Sequence, residues 1–351
     1  MKKICCLFLL LICCPALTAF PAATNMCDTG GWELVMDKNG IKAYSRKVEN
    51  SGIFEFRAVM VADAPAEVVA EMLRDVSSDS QWLPYCKEAY VLEKEGLNDF
   101  TTYFAFDLPW PVTDRDMVMK TATAYDYDHA RAVTNLFRSE VASCPPKADY
   151  IRVPEMTGQY VFEFVTRERT GIVHTYRIDL AGSLPEWMAN YSSQYNIYNT
   201  FMNMKEMFKK EKYIELGKTS PDRALCDSYF ADKQQVKKVL VARLREFIRD
   251  SDFVDMIRDS PVIDDVLRED NGEISETLLY GWGSEESKRK AIRVVLKAFL
   301  SGSTRDEKLI KTILHDDNLA GIILCGPYPG GKTSRRIIED YLKTGGSTAG
   351  Q

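Results

Sequence analysis

The chain has 351 residues, 45% of them hydrophobic and 27% charged, which gives room for one or two domains with a sizeable buried core. Its formal net charge of −6 argues against bulk nucleic-acid binding, which needs a basic face.

Lys2 and Lys3 precede an apolar run, Ile4–Cys14, that is too short to span a bilayer comfortably. Small residues follow from Pro15 to Ala23, so residues 1–23 read as an export signal, cleaved after Ala19 or Ala23. A lipoprotein signal fits less well, because Ile12 stands where a small residue is needed before Cys13. The expected compartment is periplasmic or extracellular. Of nine cysteines, Cys27, Cys86, Cys144, Cys226 and Cys325 would remain. Their number is odd and no CxxC pair occurs, so no zinc site is expected; one or two disulfides with a free thiol are, in a pairing the spacing leaves open.

Phe54, Phe56, Ala58 and Met60 alternate with Glu55, Arg57 and Val59, the period of a half-buried strand. Asp63 and Pro65 then open a helix whose apolar positions Val69, Met72, Leu73 and Val76 recur at helical spacing. From Thr101 to Asp107, Tyr103 and Ala105 share one strand face and Phe104 and Phe106 the other. Further strands are predicted at 41–46, 88–93, 115–125, 130–139, 156–166 and 172–180, separated by turn residues as in a mostly antiparallel sheet. Charges on these strands, such as Arg57, Glu163 and Arg177, are expected to face solvent. Pro185 starts a long helix with a stripe of Met188, Tyr191, Tyr195, Tyr198 and Met202, extended sideways by Ile197, Phe201, Met204 and Phe208. Lysines 205, 209, 210 and 212 crowd its C-terminal end, where cations complement the helix dipole. Gly217–Pro221 reads as a linker, 222–342 as a helical region, and 343–351 as a disordered tail.

Gly326–Thr333 fits GxxxxGK[ST], and Ile322–Leu324 precedes it like a strand. Two prolines in that loop would remove backbone donors, and only 18 residues follow Thr333, so coincidence is the better reading. His129, His174 and His315 are scattered without metal-ligand spacing, no catalytic triad or HExxH pattern appears, and Asp264-Asp265 and Asp316-Asp317 read as solvated helix ends. No cofactor is expected.

Several ordered features coincide: Trp32 and Leu34, Asn39-Gly40-Ile41-Lys42-Ala43-Tyr44, Ala64-Pro65, Asp75 with Trp82 and Pro84, Pro109-Trp110-Pro111 with Asp114-Arg115-Asp116, and Gly182 through Trp187. In this order they resemble the START (steroidogenic-acute-regulatory-related lipid transfer) family over residues 31–212, within a lipid-binding domain expected at 31–215. The resemblance implies an α+β helix-grip fold, a curved antiparallel sheet around a long C-terminal helix with a hydrophobic tunnel between, followed here by the helical C-terminal region. It also implies a lipid ligand (sterol, phospholipid or fatty acyl) carried with transient membrane contact. Candidate ligand-facing residues are Trp82, Tyr103, Trp110, Arg115, Met188, Tyr191, Tyr195, Tyr198 and Met202. Tyrosines offer apolar faces with a hydroxyl, and methionines an adaptable surface. Arg115-Asp116 reads first as a local ion pair or turn anchor, with a polar ligand head near Arg115 as the alternative; Met117 to Thr121 hold no arginine to match the charged tunnel site of some family members. The loops around Ser143–Pro146 and Pro109–Pro111 are candidate gates. Two alternatives remain, a helix-grip enzyme acting on a hydrophobic substrate and a lipid sensor acting on a protein partner through its C-terminal helices.

Overall fold

Among the described residues ten strands form, most of them on alternating apolar residues: β1 (Glu33–Lys38), β2 (Ile41–Arg46), β3 (Glu55–Ala62), β4 (Cys86–Lys94), β5 (Phe100–Phe106), β6 (Arg115–Asp126), β7 (Arg131–Arg138), β8 (Ile151–Arg152), β9 (Glu155–Thr166) and β10 (Arg169–Asp179). They form one curved sheet in the order β1-β2-β3-β10-β9-β7-β6-β5-β4, with antiparallel neighbours throughout and β8 added in parallel beside β6. The structure, a computed structural model, describes residues 31–110, 112–126, 131–138, 144–182, 184–260, 285–327 and 331–345. The export signal, Cys27, Pro111, His129, Ser143, Asp264-Asp265 and the last six residues lie outside the described residues.

Helices α1 (Ala66–Arg74) and α2 (Glu186–Phe208) pack on the concave face. Helix α1 is entered through Pro65 and continues into a 3-10 turn, Val76–Gln81. Helix α2 packs on β2 and β3. The buried stripe of α2 is Ile197, Phe201, Met204 and Phe208, the set expected only at its side. The tyrosine stripe is rotated outward, because a hydroxyl is cheaper to leave in water than a phenyl or thioether. Tyr191 and Tyr195 are exposed, while Tyr198 and Met202 are half-buried where the β1–β2 turn docks. That turn holds Asn39 and Gly40 at positive φ, as a tight hairpin demands. The Asn39 amide donates to the Tyr198 hydroxyl at 2.7 Å, and Lys205 donates to the Asn39 carbonyl at 2.7 Å.

The expected linker is almost absent. Helix α3 (Glu211–Thr219) runs straight to Ser220, whose hydroxyl caps α4 (Pro221–Ala231). Both pack on α1. Beyond them α5 (Lys233–Phe247), α6 (Ser251–Arg258), α7 (Glu285–Ser303), α8 (Glu307–Leu314), α9 (Asp317–Cys325) and α10 (Ser334–Thr344) share a second core around Leu244, Phe253, Ile292, Leu296 and Ile313. Asp250, almost wholly buried, accepts from the amides of Asp252 and Phe253 and from that of Ser334, so one carboxylate caps α6 and the start of α10.

Three further expectations are corrected. Ile322–Leu324 belong to α9 and not to a strand, and Lys332 pairs with Asp340 at 2.9 Å, consistent with a coincidental phosphate-loop pattern. Glu163 is buried, and Arg57 is stacked 4.2 Å from the Trp32 ring centre while donating to Thr175, with burial lowering its pKa to about 10. Arg177 is only half-buried, paired with Glu155. Cys86, Cys144 and Cys226 are free and buried, and Cys325 is disulfide-bonded.

Arg115 is a loop anchor. Its guanidinium donates to the carbonyls of Leu180 at 3.2 Å, Ala181 at 3.1 Å, and Thr113. Gly182, at φ +75°, lets the chain pass; a Cβ there would lie 3.3 Å from the same guanidinium. The neighbouring Asp116 accepts two bonds from Arg152 at 2.8 and 2.9 Å. Replacing Arg115 by Met should cost about 3 kcal/mol, since carbonyls that accepted charge-assisted bonds would be stranded. A urea midpoint unchanged from wild type would refute this role.

Candidate functional site

A cavity of about 210 Å³ lies between α1 and the sheet, where about 10–15 Å³ suffices for one water molecule. Protein interiors close-pack and leave few voids of that kind, so this one marks space reserved for something else. Its walls follow the two periodicities of the chain. Phe100, Thr102, Phe104 and Phe106 face it from β5, and Ala66, Val69, Ala70 and Leu73 from α1. The six residue steps from Phe100 to Phe106 make it roughly 20 Å long. Toward Phe106 it is closed by Met117, Met156, Trp82 and Leu83. Toward Tyr125 it turns polar, with Thr121, Asn98, Arg74 and Asp222 in the wall.

The polar end is an internally paired network. Arg74 donates to Asn98 at 2.7 Å, Glu71 at 2.7 Å, Ser220 at 3.4 Å, and Asp222. Tyr125 donates to Asp222 at 3.0 Å and accepts from Asn98 at 2.6 Å. Burial pushes the Tyr125 hydroxyl up to about 12, so it stays a donor.

Across the cavity floor runs one rung of the sheet. The register aligns Thr123 with Thr134, Thr134 with Tyr160, and Tyr160 with His174. The His174 ring stacks on Tyr160 with centres 3.8 Å apart, and its Nδ1 lies 3.2 Å from the Gln159 carbonyl. Burial lowers His174 to about 3. Facing this rung, Asp79 on the 3-10 turn accepts from the Trp82 indole at 3.1 Å and has no cationic partner among the described residues. Burial raises its carboxyl well above the ordinary range, against the Trp82 bond, which favours the ion.

Of the residues singled out in the sequence, Trp82 lines the cavity. Tyr103 points to the opposite face of the sheet, packed with Val118 and Cys144, with Lys147 over its ring. Arg115 anchors the loop described above. Trp110 is 93% exposed, and Trp187, Tyr191 and Tyr195 stand out from the start of α2. Met188, Tyr198 and Met202 are half-buried away from the cavity wall. The cavity residues passed over were readable in part: Tyr160, Phe162 and Phe164 alternate on β9, and His174 shares a face with Ile172 and Tyr176. Among the described residues no group of acidic, histidine or cysteine side chains could hold a metal, and no helix is long and apolar enough to cross a membrane.

The START domain family description matches residues 23–213. Uncharacterized protein PA1579 of Pseudomonas aeruginosa is 30% identical over 159 residues, covering 45% of this chain and 77% of that protein. The phosphatidylcholine transfer protein of Mus musculus is 25% identical over 177 residues, covering 49% of this chain and 81% of that protein. The crystal structure of a STAR-related lipid transfer protein from Xanthomonas axonopodis superposes with a TM-score of 0.46 at 27% identity, covering 51% of this chain and 99% of that one.

The native state keeps a proton on Asp79 that the unfolded chain releases above pH 4 or so. The contribution of Asp79 to wild-type stability should therefore fall as pH rises from about 4 toward the folded pKa, whereas Asp79→Asn, which still accepts from Trp82, should escape this loss. Urea midpoints at pH 4 and pH 7 should show the variant gaining on wild type at the higher pH; an advantage that shrinks with pH would contradict the burial argument.

Proposed function

Because the chain belongs to the START domain family, whose members bind lipids, we propose that it is a lipid-transfer protein holding its ligand between α1 and the sheet. The observation that carries this reading is the roughly 20 Å apolar cavity under α1. Each methylene that leaves water for such a wall contributes about 0.8 kcal/mol, so an acyl chain or sterol binds there without any catalytic group. This site differs from the tunnel beside the long helix that the sequence suggested, because α2 fills its own part of the concave face with Ile197, Phe201, Met204 and Phe208.

Membrane contact follows from the far end. The β5–β6 loop bearing Trp110 and the start of α2 bearing Trp187 are tied together by Arg115, and both tryptophans are exposed. Tryptophan and tyrosine favour the membrane–water interface. The cavity reaches Phe106, at the root of the same loop. Opening of that loop at a bilayer would admit the lipid, and closure would shield it from water. Export to the periplasm or cell exterior is supported by the pattern of residues 1–23 and by the disulfide at Cys325, which suits an oxidising compartment.

Purified protein should bind one fluorescent acyl or sterol probe per chain, and lipid should appear in its organic extract by mass spectrometry. Ala132→Trp, placed to fill the cavity from β7, should weaken the probe at least tenfold with little change in the urea midpoint. Retained binding in that variant would move the site elsewhere. Trp110→Ser with Trp187→Ser should slow probe transfer between vesicles severalfold without altering equilibrium affinity; an unchanged rate would remove these residues from membrane contact.

A further inference from the structure

Resting on that lipid-site reading, the polar atoms inside the cavity define a head group. Asp79 is 94% withdrawn from solvent, with a relative exposure of 6%. One of its carboxyl oxygens accepts from the Trp82 indole N–H, and the other has no side-chain partner among the described residues. With its proton retained, that second oxygen is a donor. Tyr160 is likewise buried, and its hydroxyl makes no hydrogen bond to a described residue. At His174 the Gln159 carbonyl can only accept, so Nδ1 carries the hydrogen and Nε2 presents a lone pair. Donors and an acceptor thus line one cavity, with the Tyr160 and His174 rings stacked 3.8 Å apart and Asp79 in the same wall.

The charges complete the case. Arg74 is the cation of the cavity wall among the described residues, and it is held by Glu71, Asp222, Asn98 and Ser220. A phosphate or carboxylate entering there would meet Asp79 and Asp222 with no uncommitted positive charge. We propose that the cavity selects an uncharged lipid bearing a hydroxyl group, a sterol or long-chain alcohol, bound through Asp79, Tyr160 and His174. A hydroxyl both donates and accepts, which matches a site holding both complements. A buried polar site rejects ligands that leave its groups unpaired, and rejects misplaced charge more strongly.

The test compares four ligands of one chain length that differ only in the head, namely hexadecanol, hexadecanoate, hexadecyl phosphate and hexadecyltrimethylammonium. Binding is read from tryptophan fluorescence, since Trp82 lies in the wall. Wild type should bind hexadecanol about tenfold or more tightly than the charged three. Asp79→Asn, which still donates, should hold hexadecanol within about threefold of wild type, whereas Asp79→Leu and Tyr160→Phe should each weaken it about fivefold or more, the scale of one lost hydrogen bond. Equal or tighter binding of an anionic ligand would overturn the proposal. So would preference for the trimethylammonium ligand with its loss in Asp79→Asn, which would mark Asp79 as a counter-ion. Unchanged hexadecanol affinity in folded Asp79→Leu and Tyr160→Phe would overturn it as well. Binding of none of the four by wild type would overturn the lipid-site reading itself, a result distinct from binding with the wrong preference.

Discussion

A concave sheet nine strands wide cannot be covered by one helix. Eight inter-strand steps of about 4.8 Å make it nearly 40 Å across before curvature, against a helix diameter of about 10–12 Å. Helix α2 therefore seals only the part of the face next to β2 and β3, where its Ile197, Phe201, Met204 and Phe208 meet Ile41, Phe56 and Met60. The remainder, from β10 across to β5, is roofed by α1, which is only nine residues long. A roof that short reaches the far wall with few side chains. The cavity follows from this mismatch of widths, with no need for a special insertion or a missing residue.

The roof stays in place through charges and not through apolar contact alone. Glu67 of α1 is buried, and Arg167 from the β9–β10 turn meets both its oxygens, at 2.6 and 3.0 Å, while reaching Asp227 of α4 at 2.8 Å. Arg74 ties the other end of α1 to Asp222. Just beyond, Asp75 accepts from Ser77, Ser78, Tyr213 and Lys212; burial opposes its ionisation, but these bonds outweigh it and hold the carboxyl well below its usual range. Buried ion pairs add little net stability compared with apolar packing, yet breaking one leaves an uncompensated charge. They therefore fix where α1 sits more than they strengthen the fold. Two of the straps end on α4, so the helical region after residue 220 bears directly on the cavity roof, and Asp222 and Cys226 stand in its wall.

Much of the scaffold is legible in the sequence because it depends on neighbours. Strand alternation places β2, β5, β6, β9 and β10 within a few residues of their ends, and Pro65 and Pro185 mark the two helix starts. Strand β1 escapes, since Glu33–Lys38 sits on an edge with little burial and no clear alternation. The choice between two stripes on α2 also escapes. The tyrosine and the isoleucine–phenylalanine–methionine stripes are adjacent on the helix, and only the geometry of β2 and β3 decides which one turns inward. The straps of α1 are further out of reach, because Glu67 and Arg167 are 100 residues apart and each alone reads as a surface charge. Asp79 shows the limit most plainly. In Ser77-Ser78-Asp79-Ser80 it looks like a solvated turn, and its burial comes from the 3-10 turn beneath Trp82.

Affinity and selectivity then come from different parts of one cavity. The phenylalanines of β5 and the aliphatic face of α1 reward any chain that fits, at about 0.8 kcal/mol per methylene, and do not distinguish one lipid from another. Discrimination falls to the few polar atoms, since each donor or acceptor left unpaired there forfeits about 1–3 kcal/mol. Such atoms are effective because they are neutral. An ionised Asp79 would need a permanent counter-ion, which would fill the space the ligand requires; a protonated one, accepting from the Trp82 indole, needs none. Lowered basicity does the same for His174, which offers a lone pair without carrying charge. Burial thus converts two ionisable residues into uncharged hydrogen-bonding groups, and the apolar wall that makes room for the lipid also sets the chemistry by which its head is read.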